Sequence, residues 1–130
     1  MKIFQLLVLL FILSISFGLM EDSYSQSIHF CEDVDDAGEP INESSVFTIP
    51  DDGGYLYVLV QLSYEINCRS VSLEIYRNDD YDNTITVDTK DNWTYFWKKI
   101  NFYKSGEFTI EVYDCNDDLL VSGSVDIDKD

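Results

Sequence analysis

The sequence predicts an all-β fold, an antiparallel sandwich of about seven strands. From residue 46 onward, apolar residues recur at every second position, the period of a strand with one buried face. Gly, Asn and Asp clusters interrupt this pattern every 8 to 12 residues or so, as the turns of antiparallel strands do. No apolar stripe of helical period and normal length occurs after residue 25.

Residues 1–25 read as an export signal. Met1 and Lys2 make a short positive start, Ile3 to Phe17 an apolar run broken by Gln5, Ser14 and Ser16, and small residues follow. The run falls short of the roughly 20 apolar residues that a spanning helix needs. Cleavage fits after Gly18 or after Ser25; the second keeps Glu21 and Asp22 out of the domain. Ile28-His29-Phe30 puts no small residues before Cys31, which argues against a lipid-anchored terminus. The product is expected to be secreted, periplasmic or cell-surface, with no membrane insertion of the mature chain.

The whole chain carries 25 acids against 8 bases, a net of −17, and cleavage after Ser25 leaves 105 residues with 23 acids and 7 bases. Such a surface excludes bulk binding to nucleic acid or anionic lipid, since both need basic groups to replace released counterions. Disorder is excluded by the 15 Phe, Tyr and Trp that remain, which predict an aromatic-rich core.

Residues 26–44 are polar and acidic without a sustained period and read as an N-terminal arm, followed by a sandwich domain over 45–130. Val46 to Ile49 is a short strand ended by Pro50, and Asp51-Asp52-Gly53-Gly54 a turn. Leu56, Val58, Val60 and Leu62 line one face of a long strand, and Val71, Leu73 and Ile75 one face of the next. Asn78 to Asn83 reads as a polar loop and Thr84 to Thr89 as a short β-branched strand. Trp93 to Phe102 is extended, with apolar residues in both phases, so its inner face stays open. Phe108, Ile110 and Val112 restore the alternation, Cys115 to Asp118 turn the chain, and Val121, Val125 and Ile127 mark the last strand.

The stretch Ile100 to Ile110, an apolar residue, a turn with Gly106 and then aromatic Phe108, resembles the corner between strands E and F of immunoglobulin-like domains. Phe108 stands where such domains often carry the corner Tyr, and Ile110 where antibody domains carry the inter-sheet Cys. The resemblance therefore implies an immunoglobulin-like antiparallel β-sandwich and not an antibody-type domain. The runs Ile75-Tyr76-Arg77, Trp93 to Phe102 and Val112-Tyr113-Asp114 are similar to those of small exported proteins of the Bacteroidetes group. That likeness implies compartment and fold, and no mechanism.

An exported chain with Cys31, Cys68 and Cys115 predicts one disulfide and one leftover thiol. With an immunoglobulin-like strand order, Cys68 precedes strand C and Cys115 follows strand F, neighbours with those ends together. This favours Cys68–Cys115, while Cys31–Cys68 stays open because Cys31 would enter at the same end.

Enzyme chemistry finds little support. His29, the one His, shares a strand phase with Cys31, but no nucleophile-bearing strand-turn-helix exists for a triad. Acids crowd the turns, and Ca²⁺ takes such oxygens, so the loop 78–83 with Asp79, Asp80 and Asp82, or the end 114–118 with Asp114, Asp117 and Asp118, is its candidate site, set against solvated turn acids. Asp33 to Gly38 partly imitates a calcium loop but has Ala37 at position five and Ser44 at twelve. Trp93, Tyr95 and Trp97 share one strand phase and form the candidate ligand-binding platform, set against a role in the core. The expectation is an exported, non-enzymatic binding module without a cofactor, with a protein or glycan partner outside the cytoplasm. The alternative is a small carbohydrate-binding module using those three rings.

Overall fold

The computed structural model describes residues 26–130, so the expected signal over 1–25 lies outside the described residues. Ten strands follow one another: β1 Ser27–Cys31, β2 Asp33–Val34, β3 Pro40–Ile41, β4 Val46–Ile49, β5 Gly54–Gln61, β6 Ser70–Arg77, β7 Asp80–Asp88, β8 Tyr95–Phe102, β9 Gly106–Tyr113 and β10 Leu119–Lys129. They form a three-stranded sheet in the order β1-β5-β8, a five-stranded sheet in the order β4-β10-β9-β6-β7, and a two-stranded ribbon β2-β3. Every pairing is antiparallel except β4 with β10. In the lettering of immunoglobulin-like domains, β1-β5-β8 take the places of A, B and E, and β10-β9-β6 those of G, F and C. The chain is an immunoglobulin-like β-sandwich, and no described helix is long and apolar enough to cross a membrane.

The seven expected strands are all present as β4 to β10. The expected arm is not an arm. Ser27–Cys31 pairs along its whole length with β5, from Ser27 opposite Gln61 to Cys31 opposite Tyr57, and Phe30 is buried. Ile28 and Phe30 can approach the second sheet because Gly123 sits at the inward phase of β10. A Cβ on Gly123 would lie 2.6 Å from Ile28 Cγ2. Residues 78–83 are likewise more than a loop. Asn78 and Asp79 alone turn the chain, both at positive φ (50° and 71°), and β7 starts at Asp80. Two consecutive left-handed residues make the tight hairpin whose twist matches its strands, which Asn and Asp tolerate better than most residues.

Between the sheets lie the inner phases of the strands: Leu56, Val58 and Val60 from β5, Val71, Leu73 and Ile75 from β6, Ile110 and Val112 from β9. Five Phe, at 30, 47, 96, 102 and 108, complete the core. Phe102 and Phe108 meet edge to face at 4.9 Å between centroids, so the corner without its Tyr is closed by two Phe rings. The aromatic richness of the core is thus carried by Phe, set among Val and Ile. The Tyr hydroxyls stay outside, where water satisfies them.

Cys68 and Cys115 are joined, and Cys31 is a buried free thiol. Cys68 stands just before β6 and Cys115 just after β9, and those strands pair with Ser72 opposite Tyr113, so the fold itself brings the two ends together. The open alternative, Cys31–Cys68, is excluded because Cys31 is on β1, in the other sheet. The bond closes a separation of 47 residues, which on chain-entropy grounds stabilises by about 4 kcal/mol. Replacing Cys68 and Cys115 together by Ala is expected to lower the unfolding free energy by about that amount, measured by urea titration of the folded domain.

Candidate functional site

The segment entering β8 is pinned before the strand begins. Thr89 N donates to the Arg69 carbonyl at 2.9 Å and its buried hydroxyl to the Cys68 carbonyl; Ile66 N bonds the Trp93 carbonyl at 2.8 Å and Leu62 N the Thr94 carbonyl at 2.7 Å. β8 is then an edge strand, paired with β5 on one side only. Its alternation settles the phase left open by the sequence: Phe96, Ile100 and Phe102 point into the core, and Tyr95, Trp97, Lys99 and Asn101 point out.

Tyr95 and Trp97 stack with centroids 6.0 Å apart and planes 14° from parallel. They remain 38% and 43% exposed, high for large rings held on a strand. Lys99, next in the row, rests its ammonium 4.0 Å from the Tyr55 ring centroid on β5, a cation–π contact. Trp93 does not join the stacked pair. It stands before β8 in a turn closed by its own N–H on the Lys90 carbonyl, and is half-buried against the core. A concavity of about 500 Å³ opens here, lined by residues 92–97.

The ribbon β2-β3 folds over the same sheet. Gly38 at its tip, at φ 79°, lies against the Tyr95 ring so closely that a Cβ there would fall 2.5 Å from Cε2. Gln61 Nε2 donates to the Gly38 carbonyl at 3.3 Å. Leu59, on the outer phase between His29 and Trp97, is thereby fully buried, as is Cys31 beside it. Burial pushes the Cys31 thiol up, and its Sγ faces the Tyr57 carbonyl at 3.6 Å. His29 does not reach that thiol. Its Nδ1 meets Glu43 and its Nε2 meets Ser27 Oγ at 3.0 Å and Gln61 Oε1 at 3.2 Å.

The two alternative calcium sites lie at opposite ends of the large sheet. Asp79, Asp80 and Asp82 lie at the β6-β7 hairpin, while Asp114, Asp117 and Asp118 lie at the opposite end of the antiparallel β6-β9 pair. Among the described residues no three His, Cys, Asp or Glu side chains gather as a metal site. Asp114, one of the six, braces a turn with its carboxylate. Asp114 Oδ1 accepts from the N–H groups of Asn116 at 2.8 Å and Asp118 at 3.0 Å, with Asp117 at positive φ. Asp35, in the imitation calcium loop, does the same for Ala37 and Glu39, both at 2.9 Å, with Gly38 in the place of Asp117.

On the outer face of the five-stranded sheet Glu74 stands directly opposite Glu111. Like charges so placed repel, and each is quieted by a hydroxyl on its own strand: Tyr76 donates to Glu74 at 3.1 Å and Tyr113 to Glu111 at 3.0 Å. The hydrogen bond to Glu74, reinforced by partial burial and the surrounding negative charge, pushes Tyr76 up to about 12. Tyr113 is raised for the same reason through Glu111.

Sequence reasoning found the rings and missed Lys99 and the ribbon. Charge density was the readable signal: Lys90, Lys98, Lys99 and Lys104 fall within 15 residues, four of the seven bases after residue 25.

No family model matches the chain, and no curated protein matches it. Among solved structures it is similar to a superoxide reductase (neelaredoxin) from Ignicoccus hospitalis, with 12% identity, 80% of each chain covered and a TM-score of 0.45. A likeness at that level assigns no activity.

Folded Tyr76 keeps its proton to about 12 while an unfolded tyrosine releases it near 10. The stabilisation is therefore complete below pH 10 and lost as pH rises from there through about 12. Tyrosinate absorbance should show Tyr76 lagging the other tyrosines, and Glu74→Gln should return it toward the common titration. Cys31 should not react with a thiol reagent in the native protein, and denaturant should release one reactive thiol per chain.

Proposed function

We propose that this protein is a non-enzymatic binding module that works outside the cytoplasm and makes contact through the rings of β8. The observation that carries the reading is the stacked, exposed pair Tyr95 and Trp97 on an edge strand whose other face is locked into the core. Rings already held by stacking before binding lose little entropy when a partner arrives. The disulfide supports an oxidising compartment, and the apolar run at the N-terminus supports export into it. Two observations support the non-enzymatic reading: the one His is engaged with Glu43, Ser27 and Gln61, and the one free thiol is sealed under the ribbon. The net charge of −17 argues for a partner other than nucleic acid.

An exposed Trp97 ring at a concavity with polar lining favours a carbohydrate over a protein partner. The Trp97 ring, stacked on Tyr95 and lining the concavity, offers an apolar face to the C–H side of a sugar, and Asn92 and Thr94 in the same concavity supply polar groups for its hydroxyls. Native gels containing a soluble xylan, mannan, mixed-linkage glucan or pectin should retard the protein in at least one case. Trp97→Ala should abolish that retardation while moving the unfolding free energy by less than about 1 kcal/mol, because the ring is exposed. Free migration through all four gels would end the carbohydrate reading.

A further inference from the structure

We infer that the ligand is an uncharged glycan, gripped over one or two of its sugar units in the concavity that Trp93 and Trp97 share. The inference rests on the carbohydrate reading above and goes further by naming the charge of the ligand and the length of chain bound. The concavity is lined by Asn92, Trp93, Thr94, Tyr95, Phe96 and Trp97, none of them charged, in a chain where one residue in four is Asp, Glu, Lys or Arg. The residues that flank this run, Asp91 and Lys98, are one of each sign.

Six consecutive residues make the lining because the concavity follows the free edge of the chain into β8. Asn92 and Thr94 are both exposed in it. An amide and a hydroxyl each donate and accept hydrogen bonds, as a sugar hydroxyl does. A carboxylate only accepts and an ammonium only donates, so either leaves part of this lining unmatched and finds no opposite charge there. The domain around it, with 23 acids against 7 bases after residue 25, adds repulsion of an anionic chain. A neutral sugar meets neither cost.

The length follows from what surrounds the concavity. Its volume, about 500 Å³, lies in the lower half of the range for pockets that enclose small ligands. Trp93 is a fixed wall, its N–H on the Lys90 carbonyl and its carbonyl on the Ile66 N–H. Along the strand the outer row does not continue as a platform. On one side Tyr95 abuts the ribbon at Gly38, near the exposed Asp35, Asp36 and Glu39. On the other, the Tyr55 ring is taken by Lys99 and lines a separate concavity with Glu32 and Asp33. A glycan leaving Trp97 along the row in either direction therefore meets acids and no further free ring.

The test is titration calorimetry with xylobiose, mannobiose and cellobiose, their hexasaccharides, and the disaccharides of galacturonate and of glucosamine. At least one neutral disaccharide should bind, and the two charged ones should bind at least about tenfold more weakly, the cost of a charge desolvated without a partner. A hexasaccharide offers several overlapping pairs of units, so its gain over the matching disaccharide should stay within about fivefold. Asn92→Asp, which turns a donor and acceptor into an acceptor alone, should weaken the neutral disaccharide about tenfold with an unchanged unfolding midpoint. A charged disaccharide that binds as tightly as the best neutral one overturns the inference, as does retardation by the pectin gel alone, pectin being the charged polymer of the four. A larger gain from disaccharide to hexasaccharide overturns the short footprint and leaves the carbohydrate reading standing. Unchanged affinity in Asn92→Asp overturns the inference by removing the concavity from the site. Binding of no disaccharide overturns it too, and if the protein also runs freely through all four gels the carbohydrate reading falls with it.

Discussion

Two inner faces of Val, Ile and Phe, pressed together without water, are the constraint on which the rest of this molecule depends. An acidic chain of this size can fold only if its charge is kept out of that layer, because a buried, unpaired carboxylate costs more than any single contact returns. The strands obey: their buried positions from Leu56 to Ile127 are apolar, Lys98 at the inward phase of edge strand β8 stays half-exposed, and among the described residues no buried side-chain nitrogen or oxygen lacks a partner. The acids are displaced to turns, edges and outer faces, where they are put to structural use. Asp35 and Asp114 close two unrelated turns with the same set of bonds, a carboxylate accepting from the second and fourth N–H groups onward. At both places the sequence offers an acid cluster, and the geometry makes it a brace.

The strands that could be read from the sequence were those with one face in the core. β6 and β9 alternate cleanly because only one phase of each is apolar, and β5 departs from this at Leu59, which the ribbon buries on the outer phase. β1 was hidden because it is covered on both sides, by the opposite sheet at Phe30 and by the ribbon at Cys31, so no alternation survives in five residues. The first half of β7 was hidden for the contrary reason. Asp80 to Asn83 are exposed, and nothing in their hydropathy separates them from a loop. Of the candidate site, the rings could be read and their setting could not. Lys99 over Tyr55 depends on the register between β5 and β8, and Gly38 against Tyr95 joins residues 57 apart, so both are products of the fold and not of local pattern.

The ring surface and the Glu74–Glu111 surface lie on opposite outsides of one sandwich and illustrate two uses of tyrosine. On the large sheet the hydroxyl is the working end: Tyr76 and Tyr113 spend their protons on adjacent carboxylates and let two acids stand opposite one another. On the small sheet the ring is the working end, with Tyr95 stacked on Trp97 and Tyr55 lying under an ammonium.

The two-residue turn at Asn78 and Asp79 has a consequence far from where it is made. In constant-type immunoglobulin domains the strand that follows C crosses to the other sheet and lies beside E. Here the turn is too tight for a crossing, so β7 folds straight back onto β6 and stays in the large sheet. The small sheet is left one strand short, and its vacant side is the side of β8. The unpaired edge of β8 therefore traces to two left-handed residues about 20 positions earlier in the chain. A longer linker at that hairpin would free the next segment to pair along that edge, which makes the backbone at Asn78 and Asp79 the selector of which sheet receives the strand.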